Sequence, residues 1–265
     1  MKVVIMAGGK GTRISSVASD IPKPMIKIEG KPVLEHEIEC LRDQGFKDII
    51  LTVCHLGNII MDYFGDGSGI SPVTGNSFGV NIEYYFEKEP LGNAGALFKI
   101  KDKLTEDFLL LNADAMFDVD FNRFVEFHKF HGGMVTLFTH PNSHPYDSGL
   151  IIADENGTVQ KWLAKEDERP TYYKNRVNAG LHVISPELLK QKIDTPKIDL
   201  DRQLLKPLSG TGKMFCYDSP EYVKDMGTPD RYYAVCEDFK AGHVQGKNLK
   251  NKQKAIFLDR DGTIN

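Results

Sequence analysis

A glycine-rich, basic segment near the N-terminus carries residue types that bind phosphate. Gly8, Gly9 and Gly11 follow a short β-branched run, and Arg13 comes two residues later. Glycines let backbone N–H groups approach phosphate oxygens because no Cβ stands in the way, and arginine can contact phosphate through two parallel hydrogen bonds. The segment has neither the GK[ST] ending of a Walker A loop nor the GxGxxG dinucleotide pattern. It indicates a phosphate-binding loop of another type, although a plain strand-to-helix turn would contain the same glycines.

A lysine between two prolines follows, in Ile21-Pro22-Lys23-Pro24-Met25. Proline fixes φ and biases the residue before it to an extended conformation, so Lys23 is held on a stiff segment. A stiffly held ammonium group near a phosphate loop suits charge stabilisation during phosphoryl or nucleotidyl transfer. The alternative is a surface lysine in a proline turn.

Two aspartates occupy positions that suit a metal ion. Asp114 ends the apolar run FLLLNAD, and Asp225 precedes the turn MGTP. Mg²⁺ is usually held by one or two carboxylates together with phosphate oxygens, so the pair predicts a magnesium site. The alternative is that Asp114 caps a turn and Asp225 makes an Asx-turn. Asp118 and Asp120 fit better as a turn residue and a helix cap.

Strands and helices alternate along the first half of the chain, which predicts parallel βαβ units. After Pro141 the pattern looks more antiparallel, so we expect one α/β domain with a mixed, mostly parallel central sheet. The predicted strands are residues 2–7, 48–53, 82–87, 108–111, 134–139, 149–153, 159–163 and 178–184, and the predicted helices are 32–44, 94–99, 121–131, 186–192, 200–205 and 232–240.

Composition limits the classes of function. The 265 residues are 41% hydrophobic and 26% charged with a net charge of −4, which gives no indication of bulk nucleic-acid binding. The sequence contains neither an apolar stretch of the roughly 18 residues that cross a bilayer nor a signal-peptide cleavage pattern, so we expect no membrane contact. The four cysteines form no CxxC pair, which favours a reduced, cytoplasmic protein.

The two-part motif AGGKGTR…PKPM resembles the signature of the sugar-1-phosphate nucleotidyltransferases, which make NDP-sugars from an NTP and a sugar 1-phosphate. The similarity runs from Met1 to about Lys240 and implies a GT-A-like, Rossmann-related fold for residues 1–240. It implies catalytic roles for Arg13 and Lys23 and Mg²⁺ ligation by Asp114 and Asp225. The implied nucleotide-binding residues are Ala7, Gly8, Gly9, Gly11, Thr12, Glu87, Gly92 and Asn112.

The segment from Glu87 to Gly95 resembles the family's EPLGTAGAL loop, with Asn93 where threonine is common. Glu87 is the candidate contact to the base. Its carboxylate can accept hydrogen bonds from the two neighbouring donors of guanine, N1–H and N2–H₂, whereas uracil and thymine offer only N3–H. The resemblance therefore favours GTP, while a solvent-facing Glu87 at a strand end is the alternative.

Later segments resemble elements that contact the sugar phosphate. The residues are Gly149, Lys165, Asn178 and Gly180. Ala164 stands where the family usually has glutamate, so one expected hydrogen bond to the sugar is missing and its identity is open. One alternative is the same reaction with UTP and an amino-sugar or muramic acid phosphate. Another is a catalytically silent nucleotide-sugar sensor. The oligomeric state is also open, and a homo-oligomer is one alternative.

The C-terminal residues form a separate signal. Residues 241–254 have the composition of a linker, and the apolar strand and FLDRDGTIN of residues 255–265 resemble the first motif of haloacid-dehalogenase phosphatases. The resemblance makes Asp259 the nucleophile and Asp261 a general acid/base. The form is closest to heptose bisphosphate phosphatases, which implies a phosphatase domain of the same polypeptide as a partner. The segment RISSVASDIPKPM also resembles the D-glycero-α-D-manno-heptose 1-phosphate guanylyltransferases. Together, the two resemblances favour GTP and D-glycero-α-D-manno-heptose 1-phosphate as substrates. We expect no phosphatase activity from the 265 residues alone.

Overall fold

The computed structural model describes residues 1–9, 14, 17, 20–142, 148–193, 195, 197–252 and 256–258. Several residues to which the sequence assigns a role lie outside this part of the chain, so their roles stay predictions. They are Gly11, Thr12, Arg13, Asp259 and Asp261.

Strands and helices alternate in the described chain, much as the sequence predicts. The helices are α1 (Val33–Arg42), α2 (Gly57–Phe64), α3 (Gly95–Ile100), α4 (Phe121–His131), α5 (Pro229–Lys240) and α6 (His243–Gly246). The strands are β1 (Val3–Met6), β2 (Lys27–Ile28), β3 (Lys31–Pro32), β4 (Asp48–Val53), β5 (Asn81–Phe86), β6 (Phe108–Asn112), β7 (Ala115–Asp118), β8 (Val135–His140), β9 (Leu150–Ala153), β10 (Val159–Leu163), β11 (Val177–Ile184), β12 (Met214–Asp218) and β13 (Tyr222–Asp225).

Nine of these strands form the central sheet. Its order is β10-β9-β11-β6-β1-β4-β5, and β8 pairs with both β11 and β12. The pairs β6-β1, β1-β4, β4-β5 and β8-β12 are parallel, whereas β11 is antiparallel to β6, β8 and β9. The expectation of an α/β fold with a mixed, mostly parallel sheet is confirmed.

The central strands are buried on both faces. In β1, Val3 and Ile5 belong to one apolar cluster and Val4 to another, because alternate side chains of a strand point to opposite faces. The first cluster includes Leu34 of α1 and Phe64 of α2, while the second includes residues of α3. Helices therefore cover both faces, as a parallel sheet requires.

Several elements differ from those predicted. β4, β10 and α4 have the predicted bounds, but α2 and β12 were missed. The helix expected at 186–192 is a 3-10 helix, Pro186–Lys190, and the one at Leu200–Leu205 is π-helical. β7 and β13, also missed, pair into a small antiparallel sheet. Asp225, expected to precede a turn, is the last residue of β13.

Residues 241–252, the described part of the predicted linker, make contacts with the domain. Val244 of α6 is fully buried. Asn248 donates from Nδ2 to Asp118 Oδ1 at 2.6 Å, and the amide of Leu249 donates to Glu221 Oε1 at 2.9 Å. Polar, glycine-containing composition resembles that of a linker, but these contacts pack the segment against the domain.

Two further findings concern the described chain as a whole. None of its helices is long and apolar enough to cross a membrane. The four cysteines, all of them described, are free thiols; Cys216 is buried and the others are partly buried.

Candidate functional site

The strand order changes direction between β1 and β6. From β1 the chain proceeds outward to β4 and β5 and then returns to place β6 on the other side of β1. In open α/β sheets a ligand crevice forms at such a switch point, beyond the carboxyl ends of the strands. A cavity of about 500 Å³ lies here, called the first cavity, lined among others by Gly8, Gly9, Lys23, Asn112 and Asp114.

The described part of the glycine loop is open to the first cavity. Ala7 is buried, and its amide donates to the Thr52 carbonyl at 2.9 Å, so the loop starts from a fixed point. A Cβ on Gly8 would lie 3.1 Å from Glu87 Oε1, whereas a Cβ on Gly9 would meet nothing within 4 Å. The backbone at Gly9 can therefore be reached by a ligand in the cavity.

Lys23 lies at the first cavity and not on the outer surface. It begins a one-turn 3-10 helix after Pro22, whose backbone is extended, and only 9% of it is exposed. Its Nζ lies 2.8 Å from Asp114 Oδ2 and 3.5 Å from Asp225 Oδ1. A buried ammonium group thus bridges the two carboxylates that the sequence singles out, which excludes the surface-lysine alternative.

The small β7–β13 sheet holds these carboxylates together. Asp225 is in register with Ala115, and the amide of Met226 donates to the Asp114 carbonyl at 3.0 Å. The second oxygen of Asp225 accepts an ion-pair hydrogen bond from Arg231. Charges therefore alternate along a chain from Asp114 through Lys23 and Asp225 to Arg231.

The pair of carboxylates fits a magnesium ion. Asp114 and Asp225 are 43% and 41% exposed and already share one cation, Lys23. Within the described residues, no group of three or more His, Cys, Asp or Glu side chains could hold a metal. Two carboxylates are the number of protein ligands that Mg²⁺ commonly takes, with water and substrate phosphates completing its shell.

Glu87 lines the first cavity and is buried, so it is not a solvent-facing residue at a strand end. It is 7% exposed, and its Oε2 accepts a hydrogen bond from the Leu91 amide at 3.3 Å. Burial raises the pKa of the Glu87 carboxyl, partly offset by that hydrogen bond. Gly92 and Asn112 line the same cavity. The predicted nucleotide residues in the described chain therefore face one space.

The sugar-side candidates line a second, outer cavity of about 730 Å³. Gly149, Lys165 and Asn178 are among its lining residues, as is Ala164. A Cβ on Gly149 would lie 2.7 Å from Trp162 Nε1, so the indole occupies the space of a side chain there. Lys165 is 64% exposed, and its Nζ is 4.0 Å from Glu166.

A bridging cavity of about 260 Å³ connects these spaces. It shares Asp114 and Asn112 with the first cavity and Asn178, Asp225 and Arg231 with the outer one. Gly180 also lines it. With φ +77 it allows close approach to Asn112, because a Cβ would lie 2.5 Å from Asn112 Nδ2.

Sequence reasoning missed several residues of the bridging cavity, including its two basic ones, His182 and Arg231. His182 faces Asn178, whose Oδ1 lies 3.1 Å from His182 Nε2 and accepts from the Gly180 amide at 3.2 Å. Burial lowers the pKa of His182 to about 4, so its imidazole is neutral at pH 7. The other basic residue, Arg231, lies in the first turn of α5, where a basic side chain gives no sequence signal of its own.

A glycine loop and paired carboxylates at the switch point of a mixed α/β sheet suit an enzyme that binds nucleoside phosphates. A profile of the nucleotidyl transferase family matches residues 2–241, so the chain belongs to this family.

Similar proteins share this fold and part of the sequence. The mannose-1-phosphate guanylyltransferase catalytic subunit beta of Xenopus tropicalis is 29% identical over 233 residues, 86% of this chain and 62% of that protein. The chain thus spans less than two thirds of that relative. Mannose-1-phosphate guanyltransferase 2 of Candida glabrata is 30% identical over 262 residues, 96% of this chain and 68% of that protein.

The crystal structure of HddC from Yersinia pseudotuberculosis has a TM-score of 0.73 at 27% identity, covering 90% of this chain and 99% of that chain. The same protein complexed with GMP-PN gives a TM-score of 0.72.

Proposed function

We propose that the protein transfers a nucleotidyl group from an NTP to a sugar 1-phosphate, giving an NDP-sugar and pyrophosphate. One observation carries the proposal: the bridging cavity joins the cavity of the glycine loop to the outer cavity at Asp114 and Asp225. Two substrates bound in the two larger cavities would meet beside the carboxylates that fit a magnesium ion. Such an arrangement suits a direct transfer between substrates.

The reaction needs no covalent enzyme intermediate. A phosphate oxygen of the sugar phosphate attacks the α-phosphorus of the NTP, a new P–O bond forms, and the bond to the leaving pyrophosphate breaks. A bound Mg²⁺ would supply charge neutralisation for the phosphates during transfer. Asp114 and Asp225 would hold the ion, and Lys23 would stabilise charge on the transferring phosphoryl group from its stiff segment. The backbone at Gly8 and Gly9, with Arg13, would hold the triphosphate.

We propose GTP as the nucleotide. Glu87 offers a buried acceptor beside the glycine loop, which suits the two adjacent donors of guanine. The relatives named above as guanylyltransferases, and the GMP-PN complex of HddC, support the same choice. A uridylyl-, thymidylyl- or cytidylyltransferase remains the alternative within the class.

We propose D-glycero-α-D-manno-heptose 1-phosphate as the sugar substrate. Support comes from the resemblance of RISSVASDIPKPM and FLDRDGTIN to proteins of heptose metabolism. The small side chain of Ala164, in an outer cavity of about 730 Å³, is compatible with a sugar longer than a hexose. Hexose, amino-sugar and muramic acid 1-phosphates remain the alternatives.

We also propose that residues 255–265 belong to a phosphatase-type domain of the same polypeptide. Its predicted Asp259 and Asp261 lie outside the described residues. Ile256, Phe257 and Leu258, which are described, are 85%, 94% and 63% exposed. Consecutive exposed apolar side chains have the pattern of a segment that packs against something else.

Pyrophosphate release tests the function. The protein is assayed with Mg²⁺ and each of four NTPs against a panel of sugar 1-phosphates, and GTP with the heptose phosphate should be fastest. Lys23→Met should lower kcat by roughly 10²- to 10³-fold, the usual effect of losing one group that stabilises transition-state charge. The exposed Lys27→Met is the matched control. No pyrophosphate release with any pair would favour the catalytically silent sensor.

A further inference from the structure

Among the described residues that line the bridging cavity, one side chain is cationic at neutral pH. Its lining carries three carboxylates, on Asp114, Asp201 and Asp225. Of the two basic side chains that line it among the described residues, His182 is neutral because burial lowers its pKa to about 4. Arg231 is therefore the cationic side chain among the described lining residues, while Lys23 reaches Asp114 and Asp225 from the first cavity. Lys165 and Lys23 line the outer and the first cavity respectively, not the bridging one.

Arg231 is oriented from two sides. The hydroxyl of Thr228, which precedes α5, accepts a hydrogen bond from the Arg231 amide at 3.4 Å and fixes the start of the helix. At the other end of the side chain, Nη1 donates to Asp225 Oδ2. A guanidinium group has five N–H donors in a planar fork, so donors remain for a ligand in the cavity.

The acceptor phosphate needs a cation here. In the proposed function, which this inference rests on, the sugar lies in the outer cavity and the α-phosphorus of the NTP in the first. The phosphate that joins them must pass through the bridging cavity. Lys23 and a bound Mg²⁺ would offset the charges of Asp114 and Asp225 there, but the carboxylate of Asp201 would repel the phosphate. We infer that Arg231 binds the phosphate group of the sugar 1-phosphate through its planar fork and so aligns the attacking oxygen.

The test separates the two substrates. Arg231→Met should raise the KM for sugar 1-phosphate at least ~10-fold, the loss expected for a hydrogen bond to a charged group, and change the KM for NTP by less than ~3-fold. Arg231→Lys keeps the charge but loses the fork, so its KM should fall between those of the parent and Arg231→Met. Arg202→Met removes an arginine that lines the outer cavity but not the bridging one, and should have a smaller effect than Arg231→Met.

Calorimetric titration with sugar 1-phosphate, without nucleotide or metal, gives a second readout; the affinity should fall in Arg231→Met. An equal rise in both KM values with unchanged affinity would mean that Arg231 only holds Asp225, which overturns the inference. A larger KM rise in Arg202→Met also overturns it. If the unaltered protein turns over no substrate pair, the proposed function fails as well; unchanged KM values in an active Arg231→Met remove only the role of Arg231.

Discussion

At the scale of single residues, burial distinguishes a motif residue that lines a ligand cavity from one that lies on the surface. The sequence places Lys23 between prolines and Glu87 at a strand end, and either could have been a surface residue. Both are less than a tenth exposed and line the same cavity. A buried charged side chain is costly unless it is paired or used, so its position in a cavity carries information that residue type alone lacks.

The raised pKa of Glu87 predicts a pH dependence of nucleotide binding. If the ionised carboxylate accepts hydrogen bonds from guanine, the KM for GTP rises as pH falls through the pKa of Glu87. Because burial raises that pKa, the loss begins at a higher pH than for an exposed glutamate. Glu87→Gln should raise the KM for GTP roughly 10-fold or more and flatten its pH profile.

The exposed Glu89 of the same loop supplies the control, and Glu89→Gln should leave the profile unchanged. A pH profile of Glu87→Gln that matches the parent protein would contradict the assignment of Glu87 to the base. The measurement is the KM for GTP across the stable pH range at saturating sugar phosphate.

At the scale of elements, the loop of residues 87–95 after β5 is hydrogen-bonded to the start of the π-helical turn Leu200–Leu205 and to Ile198 just before it. The Ile198 amide donates to the Leu91 carbonyl at 2.8 Å, the Ile198 carbonyl accepts from the Ala94 amide at 3.0 Å, and Asn93 Oδ1 accepts from the Leu200 amide at 2.7 Å. Because the π-helical turn lines the outer cavity, these bonds link the two proposed substrate spaces.

Gly92 makes this link possible, and Gly92→Ala should break it. Its φ is +80, and a Cβ would lie 2.4 Å from the Ile198 carbonyl oxygen. The left-handed backbone and the collision with main chain should lower the free energy of unfolding by about 2 kcal/mol or more, measured by urea denaturation. Gly69→Ala, with open space and no positive φ, should change it by less than about 0.5 kcal/mol. Equal stability of the two variants would rule out the proposed constraint.

The order of the main strands and helices could be predicted, because long apolar runs and helical periodicity in the sequence indicate which residues will be buried. Asp48–Val53 and Phe121–His131 have the predicted bounds. The short β7 and β13 could not be found, since four-residue strands carry little periodicity and depend on pairing with a distant segment. His182 and Arg231 of the bridging cavity were missed for the same reason, because tertiary contacts bring them to this place.

At the scale of the whole molecule, the segment formed by residues 241–252 packs against the small sheet that holds Asp114 and Asp225 together. Val244 of α6 belongs to an apolar cluster with Met116 of β7, Tyr222 of β13 and Met226, which follows Asp225 directly. The sheet that holds Asp114 and Asp225 together is thus packed against a segment whose composition resembles a linker. Loss of this packing should affect metal binding as well as stability.

Val244→Asp tests this support. A carboxylate at a fully buried position should lower the free energy of unfolding by at least about 2 kcal/mol, from lost apolar burial and from desolvation of the charge. If β7 and β13 lose their fixed register, more Mg²⁺ should be needed for half-maximal pyrophosphate release. Gln245→Asp adds the same charge at the exposed neighbouring position and should alter neither quantity. A lowered free energy of unfolding with a Mg²⁺ requirement that matches Gln245→Asp would show that the segment packs there without supporting the site.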